Sequence, residues 1–353
     1  MKVLITGNLG YIGPILIKSL RDNYRNIHIV GYDTGYFGHC LTNAKYFPES
    51  MLDTQYIGDL RDFDESILSD IDAVVHLAAI SNDPMGNRFE GVTKEINADA
   101  SAEFARKAKK AGVRYFVFAS SCSMYGFTQE GAKKENDSLN PLTAYAKSKV
   151  FMEKTLEELS DDNFIVTCLR FATACGMSTR LRLDLVLNDF VASAVSTGKI
   201  TVLSDGTPWR PLIHVKDMVR AITWGMERTV NTGVNFLAVN TGSDEWNYQV
   251  KDLAEAVAGI IPETTISINK DAQPDKRSYQ VDFSLFKKLA PNHQPVMSLK
   301  DTVRELKESL EEMGFNNSNF RNSWFMRLKV LEQHIDRGLL TEQLEWTANK
   351  NDN

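Results

Sequence analysis

The feature that most constrains the fold of this chain is a glycine-rich turn, TGNLGYIG, that begins at residue 6. The turn follows Val3–Thr6, an apolar run that is predicted to be a buried strand. It leads into Ile12–Asp22, where apolar residues recur at helical spacing. A strand, a glycine-rich turn and a helix in this order are typical of the first unit of a parallel α/β sheet.

Three glycines in the turn have the spacing of a dinucleotide-binding loop. Gly7 permits a backbone conformation that other residues avoid, Gly10 lets a diphosphate approach the backbone, and Gly13 allows the helix to pack closely on the strand. The N-terminus of the helix offers free N–H groups and a positive dipole end to phosphate. A plain tight turn is the alternative interpretation. The residues expected to contact the dinucleotide are Gly7, Asn8, Leu9, Gly10, Tyr11, Ile12 and Gly13.

Strand and helix patterns alternate through the first half of the chain. Further buried strands are predicted at 27–32, 73–77, 114–119 and 165–170, and further helices at 89–111 and 144–159. Such alternation predicts an α/β fold, a doubly wound parallel (Rossmann) sheet with right-handed crossovers.

The pattern becomes irregular beyond Gly176, which indicates a smaller α+β region. The predicted division is a dinucleotide-binding Rossmann domain over 1–175 with returns at about 211–240, a substrate-binding domain over 176–210 and 241–315, and a C-terminal helical extension over 316–353. The extension carries apolar residues at three- or four-residue spacing, namely Phe320, Trp324, Leu328, Leu331 and Ile335. We expect this stripe to pack against its own chain, with a partner interface as the alternative.

The composition argues against several classes of partner. A formal net charge of −6 gives no general attraction to nucleic acid or to an anionic membrane. No apolar run approaches the ~20 residues of a membrane-spanning helix, and the N-terminus lacks a signal-peptide pattern. The four cysteines show no C-x-x-C spacing and are too few for a disulfide framework. We therefore expect a cytoplasmic protein with no nucleic-acid or membrane partner, and we assign no metal ligands.

A carboxylate at the end of the second predicted strand bears on the choice of cofactor. Asp33 lies about twenty residues beyond the last glycine, where an acid accepts hydrogen bonds from the adenosine ribose and repels a 2′-phosphate. NAD is therefore favoured over NADP, with a simple turn residue as the alternative role. Asp59, in GDLRD, is a candidate contact for the adenine amino group, or else a solvated loop carboxylate.

The sequence YAKSK places Tyr145 and Lys149 four residues apart near the start of a predicted helix, hence on one face. The lysine can stabilise a tyrosine phenolate, whose usual pKa is near ~10, and an oxidised nicotinamide would lower that pKa further. A tyrosine activated in this way can remove a hydroxyl proton while hydride leaves the same carbon. An exposed pair on an ordinary helix is the alternative.

Together these motifs resemble those of the extended short-chain dehydrogenase/reductases in the NAD-dependent epimerase/dehydratase family. The resemblance covers roughly residues 1–315 and rests on TGNLGYIG, HLAA at 76–79, SSCSMYG at 120–126 and YAKSK. It implies an enzyme that uses NAD, typically on a nucleotide-diphosphate sugar. It also implies a homodimer formed through the helices at 89–111 and 144–159.

The resemblance assigns roles to further residues. Ser121 becomes the hydroxyl residue that orients the reacting sugar oxygen beside Tyr145, so the implied catalytic set is Ser121, Tyr145 and Lys149. The cofactor contacts gain Leu60, Leu77, Ala78 and Ala79. Arg210 and Arg277 lie in stretches that resemble those gripping the substrate diphosphate, a role that suits bidentate guanidinium groups.

Other substrate contacts are assigned by position along the same motifs. The candidates are Ser81, Asn82, Ser121, Cys122, Ser123, Thr173, Arg180 and Asn188. Thr173 stands where the family more often has asparagine, which leaves the sugar contact there open. The stretch STRLRLDLVLNDF, which contains Arg180 and Asn188, resembles a subgroup that includes GDP-heptose 4-dehydrogenases.

Cys122 and Ser123 stand where family members that eliminate water carry an Asp-Glu pair. Elimination across C5–C6 needs a base and an acid, and neither neutral side chain replaces a carboxylate pair well. Cys122 is expected to be a buried filler, or a second acid/base if its thiol is activated.

We therefore predict NAD-dependent oxidation of a nucleotide-sugar hydroxyl, at C4, by a 4-epimerase or a 4-dehydrogenase. These two outcomes use the same residues, so the sequence does not separate them. The alternatives are a nucleotide-sugar dehydratase, a carbonyl reductase that uses NAD or NADP, and a non-catalytic dinucleotide sensor.

Overall fold

The computed structural model describes residues 1–228, 234–272 and 278–347. Its strands are β1 (Lys2–Thr6), β2 (His28–Asp33), β3 (Thr54–Ile57), β4 (Ala73–His76), β5 (Tyr115–Ser121), β6 (Phe127–Lys133), β7 (Ile165–Phe171), β8 (Thr173–Cys175), β9 (Lys199–Val202), β10 (Trp209–His214), β11 (Phe236–Thr241), β12 (Asn247–Gln249), β13 (Thr265–Ile268) and β14 (Ser278–Val281). Its α-helices are α1 (Gly13–Asn23), α2 (Asp83–Arg88), α3 (Glu90–Lys94), α4 (Ser101–Lys110), α5 (Ala144–Leu159), α6 (Val186–Thr197), α7 (Val215–Glu227), α8 (Val250–Ala258), α9 (Ser284–Leu289), α10 (Leu299–Glu312) and α11 (Arg327–Asp336).

Seven parallel strands form the central sheet, in the order β11-β7-β5-β4-β1-β2-β3. β1 lies between β2 and β4, with Leu4 opposite both Val30 and Val74. Helices pack on both faces of the sheet, so β1 carries apolar residues at successive positions, and Val3, Leu4 and Ile5 are fully buried. The Rossmann α/β fold predicted from the sequence is confirmed.

The helix predicted at 89–111 is interrupted in the structure. A π-helical segment, Glu95–Ala100, separates α3 from α4. Within it, the Asn97 side chain accepts a hydrogen bond from the Ile80 N–H at 2.8 Å and donates one to the Ile80 carbonyl at 3.0 Å. Such segments often occur near functional sites, and this one fixes the loop after β4. The helix predicted at 144–159 is found with those bounds as α5.

Three smaller sheets have the strand orders β12-β10-β8, β13-β9 and β14-β6. An apolar core built from α6, α8 and α10, including Leu187, Leu253 and Leu306, packs against the first two, whereas the buried residues of β14 join the core of the main sheet. In the stretch predicted to return to the main sheet, α7 packs on the central sheet and β11 joins its edge. β10 instead pairs with β8 and β12.

The C-terminal extension packs on its own chain. Phe320 is buried in the second core, and Leu331 packs in a cluster with Tyr36, Met85 and Val92. Beyond α11 the chain turns back, and a bridge pairs Leu340 with Trp346. Among the described residues, no helix is long and apolar enough to cross a membrane.

Candidate active site

A cavity of about 900 Å³ opens at the carboxyl edge of the central sheet. Its walls come from residues that follow β1, β2, β4 and β5, from the segment after β8, and from the start of α11. Open α/β sheets bind ligands at this edge, outside the carboxyl ends of the strands. The cavity therefore has the glycine turn on one side and the second half of the chain on the other.

The glycine turn has the close packing that a dinucleotide loop needs. Gly7 has a φ of +75°, and a Cβ there would lie 2.5 Å from the Ala78 backbone nitrogen. A Cβ on Gly13 would lie 1.9 Å from the Asn8 carbonyl oxygen. At Gly10, which lines the cavity, the nearest atom to a Cβ would be the Gly7 carbonyl oxygen at 3.1 Å. The turn therefore fits a diphosphate against its backbone.

The predicted cofactor contacts divide into lining residues and supporting residues. Those that line the cavity are Gly7, Gly10, Tyr11, Ile12, Asp33, Asp59, Leu60, Leu77, Ala78 and Ala79. Asn8 is buried behind the turn, where its side-chain amide donates to Gln55 at 2.6 Å. Leu9 is buried too, and its N–H donates to the Asp33 carboxylate at 2.9 Å.

The two predicted adenosine carboxylates differ in their surroundings. Asp33 accepts hydrogen bonds from the N–H groups of Leu9 and Gly35, while burial raises the pKa of its carboxyl. Asp59 accepts from the Arg61 guanidinium at 2.6 Å and from the Arg61 N–H at 2.9 Å. Both carboxylates border the cavity, and Asp33 has no arginine in direct contact among the described residues.

The structure brings Ser121, Tyr145 and Lys149 together in one wall of the cavity. The side chains of Tyr145 and Ser121 are close enough for the serine to lower the pKa of the tyrosine. Lys149 is 3% exposed, donates to the Ala119 carbonyl at 2.7 Å, and has its Nζ 5.4 Å from the centre of the Tyr145 ring. Helix α5 supplies the tyrosine and the lysine, and the end of β5 supplies the serine.

Burial shifts the pKa values of Tyr145 and Lys149 in opposite directions. It raises the pKa of Tyr145 to about 12, with Ser121 and the charge of Arg182 acting against the rise. It lowers the pKa of Lys149 to about 7. Ionisation of the phenol therefore requires additional positive charge near the ring.

The start of α5 is held by a side-chain cap next to Tyr145. The Thr143 hydroxyl oxygen accepts from the Ala146 N–H at 3.1 Å, and the hydroxyl donates to Asp83 at 2.7 Å. The cap ties α5 to α2, which begins at Asp83. This contact fixes the first residue of the helix, and therefore the position of Tyr145 in the cavity wall.

The residues after Ser121 have different roles in the structure. Cys122 is fully buried, points its thiol to the Arg170 carbonyl at 3.0 Å, and has its pKa raised by burial. Ser123 lines the cavity, and its hydroxyl oxygen is buried without a hydrogen-bond partner in the described part of the chain. A hydroxyl in that state is a ready partner for a ligand.

The predicted substrate contacts are only partly brought together. Thr173 and Arg210 line the cavity, and Arg277 falls outside the described residues. Arg180 is 1% exposed and pairs with Glu49 at 2.6 Å, behind the cavity wall. Asn188 is fully buried, where its side chain accepts from the Gly176 N–H and donates to the Arg182 carbonyl.

An ion pair that sequence reasoning missed lies in the wall of the cavity. Arg182 donates to both carboxylate oxygens of Asp184, at 2.8 and 3.0 Å, and to the Ser81 hydroxyl at 3.0 Å. Asn82 donates to Asp184 at 2.7 Å and also caps α2. Ser81 and Asn82, the two predicted sugar contacts after β4, are therefore held by the Arg182–Asp184 pair. The available signal in the sequence was the segment RLRLD, in which charged residues alternate with leucine.

Comparisons with known proteins agree with this geometry. The family model described as "NAD dependent epimerase/dehydratase family" matches residues 3–240. A UDP-glucose 4-epimerase of Lactobacillus helveticus is 27% identical over 78% of this chain and 87% of its own length. An uncharacterised UDP-glucose epimerase, YtcB, of Bacillus subtilis (strain 168) is 28% identical over 85% and 95%.

A solved structure shows the same fold. It is the UDP-glucuronic acid 4-epimerase of Bacillus cereus in complex with UDP-glucuronic acid and NAD, with a TM-score of 0.74, 23% identity, and coverage of 89% of this chain and 100% of its own. The resemblance drawn from the motifs is confirmed by the family model, which spans the glycine turn, the serine-rich strand end and the tyrosine-lysine helix. The chain therefore belongs to the NAD dependent epimerase/dehydratase family.

Proposed function

We propose that the protein oxidises a nucleotide-sugar hydroxyl at C4 with NAD, as a 4-epimerase or a 4-dehydrogenase. The observation that carries this proposal is the contact of Tyr145 with Ser121 beside a buried Lys149, at the edge of a cavity that begins at the glycine turn. A protein that only sensed a dinucleotide would need the turn but not these three side chains.

Ser121, Tyr145 and Lys149 have separate roles in the proposed reaction. When bound, oxidised NAD supplies the hydride acceptor and a positive charge near Tyr145. Ser121 donates to the reacting oxygen and holds it beside the phenol, so that Tyr145 takes the hydroxyl proton as the C–H bond breaks. Lys149 stabilises the phenolate, since its Nζ lies 5.4 Å from the ring centre.

A nucleotide-diphosphate sugar is supported by the substrate side of the cavity. Arg210 lines that side, and a guanidinium suits the oxygens of a diphosphate. The Ser123 hydroxyl, which has no hydrogen-bond partner among the described residues, and the hydroxyl of Thr173 offer hydrogen bonds to sugar hydroxyls. The relatives named above act on UDP-sugars by their names, which supports UDP as the first nucleotide to test.

Cys122 takes no part in the proposed reaction. Its thiol is fully buried and its pKa is raised, which opposes thiolate formation. Neither Cys122 nor Ser123 supplies a carboxylate, so elimination of water is disfavoured.

The decisive experiment incubates the purified protein with UDP-, GDP-, dTDP- and CDP-sugars and follows both products. A 4-epimerase converts the sugar at C4, visible by NMR, without accumulating reduced cofactor at 340 nm, the wavelength at which NADH absorbs. A 4-dehydrogenase accumulates reduced cofactor and a ketosugar. Loss of water from the sugar, or turnover of small carbonyl compounds alone, would contradict the proposal.

Two further assignments accompany the proposed function. A homodimer is proposed on family resemblance, through α4 and α5. A reducing, cytoplasmic location is supported by the four cysteines, all of which are free and buried.

A further inference from the structure

The first residue of α11, Arg327, is a buried cation that forms no ion pair with any carboxylate of the described residues. Its side chain is 1% exposed. The guanidinium donates to the carbonyl of Arg180 at 2.8 Å and to that of Trp324 at 3.4 Å, and it stacks over the Phe37 ring at 4.9 Å. In the part of the chain that the structure describes, it forms no ion pair. This sets it apart from its neighbours, since Arg180 pairs with Glu49 and Arg182 with Asp184.

A cation in this position is costly for the folded protein. Burial lowers the pKa of Arg327 to about 10; the charges of Arg182 and Arg180 add to the lowering, while Cys40 and Asp184 oppose it. The group therefore stays charged at neutral pH. Asp184 attracts the guanidinium without forming an ion pair with it, and a buried charge that lacks a directly bonded counter-charge is destabilising unless a ligand of opposite sign completes it.

Arg327 lies on the cofactor side of the cavity. It lines the same cavity as Gly10 and Tyr11. Arg327 donates to the Arg180 carbonyl, and the Arg180 N–H in turn donates to the Ser178 hydroxyl oxygen at 3.2 Å. The Ser178 hydroxyl donates to the Tyr11 carbonyl at 2.7 Å. Arg180 and Ser178 therefore link Arg327 to the glycine turn, whereas Arg210 belongs to β10, which pairs with β8 and β12.

We propose that Arg327 binds the diphosphate of NAD, as a cofactor-binding residue supplied by the C-terminal extension. The two carbonyl contacts use two of the five N–H groups of a guanidinium, and a guanidinium presents its N–H groups in a fork that matches phosphate oxygens. The residue lies outside the stretch matched by the family model, 3–240. The inference rests on NAD use by the family and is independent of the sugar that the enzyme takes.

The test measures binding to the full-length protein after removal of any copurified dinucleotide. Isothermal titration compares NAD, ADP-ribose, adenosine and UDP on the wild type and on Arg327→Gln. The variant should bind NAD and ADP-ribose at least about tenfold more weakly, since a charge-assisted contact is lost. Adenosine, which has no diphosphate, should bind equally to both proteins. Arg327→Lys should lie between them, because it keeps the charge without the fork.

A stability measurement separates this role from a structural one. Without nucleotide, Arg327→Gln should unfold at the same urea concentration as the wild type or at a higher one, because a buried charge that forms no ion pair among the described residues is gone. The stabilisation that saturating NAD gives should be smaller in the variant. A purely structural arginine predicts the reverse, with a less stable free protein and an unchanged response to NAD.

The control is Arg337→Gln, which removes a charge from the exposed end of the same helix and should leave NAD affinity unchanged. Equal loss of adenosine and NAD affinity in Arg327→Gln would overturn the proposal, since the effect would then come from pocket shape. Loss of UDP affinity with ADP-ribose affinity intact would also overturn it, because the diphosphate would be that of the substrate. None of these titrations needs a sugar substrate, so they can fail while the proposed function stands.

Discussion

The hydroxyl of Tyr145 is the single group on which the proposed reaction depends. Burial raises its pKa to about 12, so the phenol is protonated until positive charge gathers around it. Lys149 supplies one such charge at close range when its amine is protonated, which its lowered pKa of about 7 makes dependent on pH. The two residues therefore work as a unit, and each is best tested by a change that keeps the volume of the side chain.

Tyr145→Phe should lower turnover of the nucleotide sugar by about 10²- to 10⁴-fold, the range for loss of a positioned general base. Sugar binding should change only a few-fold, because the ring remains. Steady-state kinetics and titration with the substrate measure the two effects. Tyr56→Phe, on the exposed part of β3, is the matched control. Turnover within tenfold of wild type would remove Tyr145 from the mechanism.

Lys149 makes a pH-dependent contribution to stability. Its pKa is about 7 in the folded protein, against ~10.4 for an unperturbed lysine. Between these values the unfolded chain binds a proton that the folded protein does not, so stability rises with pH across this window. Below about pH 7, Lys149 is protonated in both the folded and the unfolded protein. The folded protein then bears the full free-energy cost of burying the charge.

Lys149→Met should remove that rise. Urea midpoints of wild type and variant, measured from pH 6 to pH 10, should differ most in favour of the variant at pH 6 and converge as the pH increases. Other groups titrate in both proteins, so the difference isolates the lysine. A difference that is constant with pH would show that Lys149 keeps its ordinary pKa.

The elements of the site differ in how far their sequence determines them. α5 was predicted at its observed bounds, since its helical pattern is a local signal. The helix at 89–111 was predicted as continuous from the same kind of pattern. Its π-helical segment contains Asn97, whose side chain bonds to Ile80 seventeen positions earlier, a contact that periodicity does not encode.

The N-cap of α5 gives a prediction about the stability of the protein and the position of Tyr145. Thr143→Ala removes the acceptor for the Ala146 N–H and the donor to Asp83. The free energy of unfolding should fall by about 1 kcal/mol, the usual cost of a lost N-cap. Because Tyr145 is two residues on, kcat should fall by more than the loss of folded protein explains. Thr143→Ser keeps both bonds and should restore both quantities, and a variant with normal kcat would separate the cap from catalysis.

The cavity is lined by segments that are far apart in the sequence and that sequence reasoning treats one at a time. The glycine turn and the tyrosine-lysine helix were predicted because each is a contiguous motif with its own spacing. The pair of Arg182 with Asp184 was missed because its value comes from contacts with Ser81 and Asn82, a hundred positions earlier. Within the same segment, Arg180 and Asn188 have equally polar side chains, yet both bond inside the protein. The packing of the two halves of the chain decides which of these residues face the cavity and which support its wall.

The proposed homodimer gives the last prediction, which concerns the outer surface of α4 and α5. The exposed residues there are charged, among them Glu103, Arg106 and Lys154, with Phe151 as a large apolar side chain that is 45% exposed. An interface through these helices would bury that ring at its centre, where apolar anchors contribute most of the binding energy. Sedimentation velocity should therefore show a dimer for the wild type and a monomer for Phe151→Glu. Leu289→Glu, on α9 and 40% exposed, should remain a dimer, because it places the same charge on a different face. A dimer that survives Phe151→Glu would mean that the subunits associate through another surface.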